Sequence, residues 1–184
     1  MRKVKLQVQM SVDGYIAGLN GEMDWMVWDW DTALKDYVSA LTEPVDTIIL
    51  GRKLAEGFIP YWESAATSET IIEGAEKLNS TPKIVFTRTI TQNPWKNTTL
   101  AHSLDSLNDL KNSPGGDIMA YGGAAFVAAL LRDGLIDDLH LFVNPVVLGS
   151  GMAIFNEITA FQKLKLITAR PFSCGITVLH YTKA

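Results

Sequence analysis

The sequence predicts an α/β fold, a three-layer α/β/α sandwich around a mixed, mainly parallel sheet that ends in an antiparallel hairpin. Three observations predict it. Short apolar runs alternate with segments of helical periodicity, some of those runs are apolar on both faces, and the chain closes on two strand-like runs a few residues apart. Strands separated by helical segments need crossovers and lie parallel, whereas a short closing connection joins antiparallel neighbours.

Lys3 to Met10 alternates strictly, with Val4, Leu6, Val8 and Met10 on one face and Lys3, Lys5, Gln7 and Gln9 on the other. This period of two marks a half-covered strand, expected near a sheet edge or a partner surface. After a loop containing Gly14, Gly18 and Gly21, Asp31 to Thr42 places Leu34, Tyr37, Val38 and Leu41 at helical spacing, with Asp31 as N-cap. Val45 to Leu50, nearly all apolar between Pro44 and Gly51, fits a strand covered on both faces. Ser68 to Leu78 reads as a helix through Ile71, Ile72, Ala75 and Leu78, and Lys83 to Thr87 as a short strand. Leu104, Leu107 and Leu110 support a modest helix before Pro114-Gly115-Gly116. Asp117 to Tyr121 is a strand running into Gly122-Gly123, and Ala124 to Leu131 leaves that turn as a helix. Leu139 to Val147 gives another strand, and Lys163 to Ala169 with Ile176 to Thr182 form the hairpin across Pro171 to Gly175.

At 184 residues, 47% apolar and 20% charged, the chain can bury one substantial core, and a single domain over residues 1–184 is expected. The net charge of −4 comes without a basic run, so no nucleic-acid surface is expected and an anionic ligand must be held locally. Cys174 is the only cysteine, which excludes an intramolecular disulfide and a thiolate-rich zinc site and fits the reducing cytoplasm. Neither a signal-peptide pattern nor an apolar run of about 18 residues occurs, so secretion and membrane spanning are not expected. His102, His140 and His180 are scattered without metal-ligand spacing, and no metal is expected.

The strand-to-helix junction at Gly122-Gly123 carries the chemistry. Two glycines let backbone N–H groups approach an anion, and the positive end of the following helix favours its charge. Such a turn also wants glycine for geometry alone, so by itself the dipeptide leaves a bare turn and a phosphate cradle both open. Two further strands end in polar or glycine-bearing clusters, Gly51-Arg52-Lys53 and Thr87-Arg88. Ligands gather beyond the carboxyl ends of strands in open α/β sheets, so the three clusters are expected to share one edge. Arg52 and Arg88 offer planar, permanently charged forks suited to phosphate, including the extra phosphate that separates NADP from NAD. The loop Ser11 to Gly18 is either a surface turn around Asp13-Gly14 or a cover for a planar ring. Glu22 to Asp31 interleaves Trp25, Trp28 and Trp30 with acidic residues, which suits a flat heterocycle with ring N–H groups or, alternatively, packing on the core. Gly149-Ser150-Gly151 lacks the third glycine of a dinucleotide fingerprint, and neither a GxSxG elbow, a P-loop nor HExxH occurs.

In this order, Ser11-Val12-Asp13-Gly14-Tyr15-Ile16-Ala17-Gly18, Asp24-Trp25, Ile49-Leu50-Gly51-Arg52, Val85-Phe86-Thr87-Arg88 and Tyr121-Gly122-Gly123-Ala124 resemble the dihydrofolate reductase-like superfamily. Gly134-Leu135-Ile136-Asp137-Asp138-Leu139, Pro145 to Gly151 and Phe155 are similar to its RibD C-terminal, riboflavin-biosynthesis reductase-like branch. The resemblance spans nearly the whole chain. It implies NADPH as hydride donor, with Arg52, Thr87 and Arg88 near the adenosine-side phosphates beside Gly51. Gly122, Gly123, Ala124 and Ala125 would lie on the pyrophosphate, and Ile16 and Ala17 by the nicotinamide. It also implies reduction of a C=N bond in a pterin or ribosylaminopyrimidine, with Asp13 and Asp31 as candidate catalytic acids, Asp24, Trp25 and Tyr121 on the substrate, and a homodimer. Dihydrofolate reductase and a non-catalytic nucleotide-binding module are the alternatives. The chain departs from the riboflavin enzymes in having Tyr121 where an acid commonly precedes the double glycine, and in lacking the zinc deaminase motifs H-x-E and P-C-x-x-C. It departs from dihydrofolate reductase in having Asp24-Trp25 for Pro-Trp and no unambiguous pterin-binding acid among Asp29, Asp31 and Asp36.

Overall fold

The computed structural model describes residues 1–68 and 72–184. In chain order the elements are β1 (Val4–Met10), β2 (Tyr15–Ala17), α1 (Thr32–Thr42), β3 (Val45–Gly51) and α2 (Arg52–Ala66), then α3 (Ala75–Ser80), β4 (Lys83–Phe86), β5 (Thr98–Ala101) and α4 (Asp105–Asn112). The rest are β6 (Asp117–Gly122), α5 (Ala124–Arg132), β7 (Asp138–Val143), β8 (Met152–Ala153), β9 (Leu164–Pro171) and β10 (Thr177–Lys183). One eight-stranded sheet has the order β5-β4-β3-β6-β1-β7-β10-β9, and β2 and β8 form a separate two-stranded ribbon. Pairing is parallel from β5 through to β7 and antiparallel at β7-β10-β9, as the alternating segments and closing hairpin predict.

Each sheet face has its own core. Val4, Leu6 and Val8 of β1 pack with Leu107 of α4 and Val127, Leu130 and Leu131 of α5. Ile48 and Leu50 of β3 pack on the other side with Leu34 and Leu41 of α1 and Ala55 and Ile59 of α2. Burying a large aliphatic side chain contributes about 1.5–3 kcal/mol, so the two sets together fix both helical layers on the sheet. Asp31 begins α1 by accepting from Leu34 N at 2.8 Å, as its N-cap position requires.

Four expectations change. β1 lies at the centre of the sheet, between β6 and β7, and not near an edge. Its lysines are held by ion pairs instead: Lys5 Nζ reaches Asp117 at 2.7 Å and Leu41 O at 3.5 Å, and the exposed Lys3 Nζ reaches Asp138 at 3.2 Å. The helix expected from Ser68 to Leu78 is the shorter α3, beginning at Ala75; residues 69–71 of that expectation lie outside the described residues. α2 was not expected, because Gly57 and Pro60 sit inside it and both disfavour a helix interior. The strand expected to run to Val147 stops at Val143, where Asn144 and Pro145 leave the ladder. Among the described residues, no helix is long and apolar enough to cross a membrane.

Candidate functional site

Parallel pairing of β4, β3 and β6 brings the three clusters to one sheet edge. Gly51 pairs with Phe86, directly before Thr87-Arg88, and Leu50 pairs with Gly122. There α2 and α5 both start on glycine N-caps, Gly51 and Gly123, and neither cap gives a side-chain hydrogen bond to the first-turn N–H groups. Two helix ends with such donors, on adjacent strands, suit an anion carrying more than one negative group. Space is tight: a Cβ at Gly51 would lie 2.7 Å from Phe126 Cβ, and Gly122 has a φ of +142°, so glycine is demanded at both. The Gly122-Gly123 peptide is cis. Ala124 and Ala125 open the first turn of α5.

The cationic groups around this turn differ. Arg52 forms an (i, i+4) pair with Glu56 at 2.5 Å, and Arg88 is exposed. Thr87 is buried and its Oγ1 accepts from Thr89 N at 3.2 Å and Ile90 N at 3.1 Å, which shapes the turn that presents Arg88. Tyr121 leans on Phe58, with ring centroids 5.3 Å apart, and burial pushes its phenol pKa up.

Beyond β1 and β7 a second group of loops meets the same edge. Ile16 and Ala17 are buried in β2, which pairs with β8. A Cβ at Gly151 would stand 2.3 Å from Ala17 O, so this ribbon also needs a glycine. Asp13 joins the two loops by accepting from Leu148 N at 3.1 Å and Gly149 N at 2.7 Å. The Ser11 hydroxyl and those two amides hold its carboxyl below the usual range. Asp31, besides capping α1, accepts from Ser173 Oγ at 2.7 Å and Cys174 N at 3.1 Å. These bonds, led by the Ser173 hydroxyl, bring its pKa down to about 2. Asp24 is exposed, and Trp25 donates its indole N–H to Glu22 O at 3.0 Å.

Sequence reasoning missed Asn144, which is wholly buried where β7 ends. Its Oδ1 accepts from Val27 N at 2.8 Å, and its Nδ2 donates to Gln9 Oε1 at 2.7 Å and Phe142 O at 3.1 Å. An asparagine before a proline reads as a turn, and nothing local in the sequence reveals partners so far away.

The histidines read as scattered are not all so. Gln7, His140 and His180 stand in one row across β1, β7 and β10, and the two imidazoles stack with centroids 4.0 Å apart and planes at 18°. Their alternate positions on neighbouring strands were the available signal. His180 Nε2 meets Asp138 Oδ1 at 2.7 Å, and Tyr37 Oη meets His140 Nδ1 at 2.7 Å. Gln7 Oε1 and His140 Nε2 are buried without a hydrogen-bond partner among the described residues. Asp138, His140 and His180 bring ligand atoms within 4.8 Å of one another, but the near-parallel rings send their in-plane lone pairs into separate planes and Lys3 pairs with Asp138, which is a poor geometry for a cation. Burial, then the neighbouring His180, depresses the His140 pKa to about 3.

A sequence profile of the RibD C-terminal domain matches residues 2–178. The chain is 34% identical over 183 residues to the uncharacterized protein YyaP of Bacillus subtilis (strain 168), covering 98% of this chain and 94% of that protein. It is 29% identical over 192 residues to YwjB, an uncharacterized protein of the same organism, covering 100% and 99%. A putative riboflavin biosynthesis protein from Shewanella sp. PV-4 superposes with a TM-score of 0.72 at 22% identity, over 100% of this chain and 99% of that one. The Thermotoga maritima diaminohydroxyphosphoribosylaminopyrimidine deaminase/5-amino-6-(5-phosphoribosylamino)uracil reductase gives 0.71 at 16% identity, over 100% of this chain and 57% of that one. Dihydrofolate reductase from Enterococcus faecalis, complexed with NADP(H), gives 0.66 at 16% identity over 98% and 96%. At these identities the structural likeness establishes the shared fold.

Proposed function

The chain belongs to the RibD C-terminal domain family, and from that premise we propose that it is an NADPH-dependent reductase. Its reaction is hydride transfer to a C=N bond of a small heterocycle, pteridine-like or ribosylaminopyrimidine-like. The observation that carries this reading is the pair of glycine-started helices, α2 and α5, opening side by side at the carboxyl edge. Their cradle fits a pyrophosphate because it offers backbone donors and admits no Cβ at Gly51. When bound, NADPH supplies the hydride.

The chain's own residues would do the rest. Gly122, Gly123, Ala124 and Ala125 hold the pyrophosphate, and Gly51, Arg52, Thr87 and Arg88 the adenosine-side phosphates. Ile16 and Ala17, buried and buttressed by Gly151, exclude water from the nicotinamide side. Asp24, Trp25 and Tyr121 face the acceptor. A proton must reach the acceptor nitrogen, and Asp13 or Asp31 relays it through water. Both are ionised at neutral pH, which suits relay rather than storage of the proton.

Titrating NADPH against the purified protein by fluorescence tests the reading, and no binding at millimolar cofactor refutes it. Arg88→Ala is expected to weaken NADPH more than NADH, by about 1–3 kcal/mol for a lost charge-assisted phosphate bond. Equal weakening of both cofactors removes Arg88 from that role.

A non-catalytic nucleotide-binding module is the second reading, favoured by the full engagement of the Asp31 carboxylate with Leu34, Ser173 and Cys174. Steady NADPH oxidation with dihydrofolate, the riboflavin intermediate or a panel of imines excludes it, and a preference for dihydrofolate selects the folate enzyme. We also propose a cytoplasmic homodimer. All eight residues of the outermost strand β9 are exposed, including Leu164, Leu166 and Ile167, which supports a partner over this face. A monomer near 20 kDa by light scattering at high concentration overturns the dimer.

A further inference from the structure

We propose that Asn144 is the positioning residue for the acceptor side of this site, fixing the tryptophan-bearing segment 22–31 independently of the phosphate-holding half of the sheet. Its functional consequence rests on the reductase reading; the staple itself does not.

Segment 22–31 contains no helix or strand, so its backbone must find hydrogen bonds elsewhere. Val27, near its middle, is held at both polar atoms: its N–H by Asn144 Oδ1 at 2.8 Å, its carbonyl by the Trp30 indole at 2.8 Å. Trp30 in turn lies on Phe142 of β7, with centroids 6.3 Å apart and planes at 28°. Asn144 also binds the ends of both strands beneath. Its own N–H donates to Met10 O at 2.8 Å, and its carbonyl accepts from Val146 N at 2.8 Å. Nδ2 spans Gln9 of β1 and Phe142 of β7. One buried side chain therefore ties the end of β7 to Val27 and to Gln9, each more than a hundred positions away in sequence, with its Oδ1 and Nδ2 both engaged.

The residue type is specific. Leucine has a similar size but, like alanine, leaves the Val27 N–H and Gln9 Oε1 both without the partner that Asn144 supplies. Aspartate keeps the acceptor for Val27 but replaces the Nδ2 donor by an acceptor facing Phe142 O, so it preserves the loop bond and loses the bond to β7. The phosphate cradle stands on β3, β4 and β6, away from β7, so loosening Val27 leaves that cradle intact.

The test compares the wild type with Asn144→Ala and Asn144→Asp, each checked for folding by circular dichroism. Three quantities are read: hydrogen exchange across residues 22–31, the NADPH dissociation constant, and KM against kcat for the acceptor that the wild type reduces. Asn144→Ala is expected to speed exchange at Val27 by about tenfold or more, the loss of one buried hydrogen bond, and to raise the acceptor KM by a similar factor. NADPH affinity and kcat stay within about threefold on that expectation, and Asn144→Asp, which keeps the acceptor for Val27, recovers part of the exchange loss at Val27. Unchanged exchange at Val27, or NADPH and acceptor weakened alike, overturns the proposal. If the wild type binds no NADPH, the reductase reading falls, while the exchange comparison still decides the staple. Should Asn144→Ala not fold, Asn144→Ser, shorter and unable to span to Gln9, carries the same comparison.

Discussion

Asn144 and Gln7 are both buried amides of the same sheet, and the fold treats them in opposite ways. Asn144, at the carboxyl edge, uses its Oδ1 and Nδ2 to join a loop and two strand ends. Gln7, beside His140 in the row that continues to His180, has no partner for its Oε1 among the described residues, nor has His140 for its Nε2. A satisfied network specifies one arrangement, whereas an orphaned polar atom is a standing cost with no bond to lose. The carboxyl edge is therefore expected to be sensitive to small changes of shape, and the histidine row to changes of proton occupancy.

Gly151→Ala strikes the first region and has the largest expected effect. Its new Cβ would meet Ala17 O at 2.3 Å, a backbone atom that cannot move without separating β2 from β8. A loss of about 2–3 kcal/mol is expected by urea unfolding, and a change under about 0.5 kcal/mol would show the ribbon to be pliable.

Acid strikes the second region. The unfolded histidine titrates near 6.5 and the folded His140 near 3, so between those values the unfolded chain binds a proton that the folded chain refuses. Stability should fall as pH drops from about 6.5 toward 3. Asp31 adds a second, lower window, since its folded pKa of about 2 means its stabilisation is lost as pH falls below about 4. Melting temperatures at intervals between pH 7 and 2.5 resolve the two windows. His140→Phe should flatten the upper window, leave the lower one, and change stability at pH 7 by only about 1 kcal/mol, because it removes an orphan while freeing the Tyr37 hydroxyl. An unaltered acid profile would remove His140 as its source. Gln7→Leu has the smallest expected effect, within about 1 kcal/mol of neutral or stabilising, and a large loss would mean that Oε1 is bonded after all.

The sequence made the local elements legible and the long-range ones obscure. Asp31 before a 3.6-residue pattern, the apolar run Val45 to Leu50, and the passage through Gly122-Gly123 into a helix each carry their cause within a few residues. β1 misleads because the partners of its polar face, Asp117 and Asp138, lie far along the chain, so paired lysines look merely solvated. α2 forms against the propensities of Gly57 and Pro60 because Ala55 and Ile59 bury on β3. The glycine and arginine clusters at the carboxyl edge followed from strand order, but Asn144 and the stacked histidines depend on register, which no single segment encodes.

The central place of β1 has a consequence for synthesis. Its neighbours in the sheet begin at Asp117 and Asp138, with Val4 paired to Ile118 and Lys5 to Asp138. At about 5–20 residues per second, the first strand leaves the ribosome on the order of ten seconds before either partner exists. Throughout that interval Val4, Leu6, Val8 and Met10 form an unpaired apolar stripe, and Lys3, Lys5, Gln7 and Gln9 keep it from being apolar on both sides. The polar half of the alternation, costly at Gln7 in the finished sheet, serves the nascent chain as a gatekeeper against premature pairing.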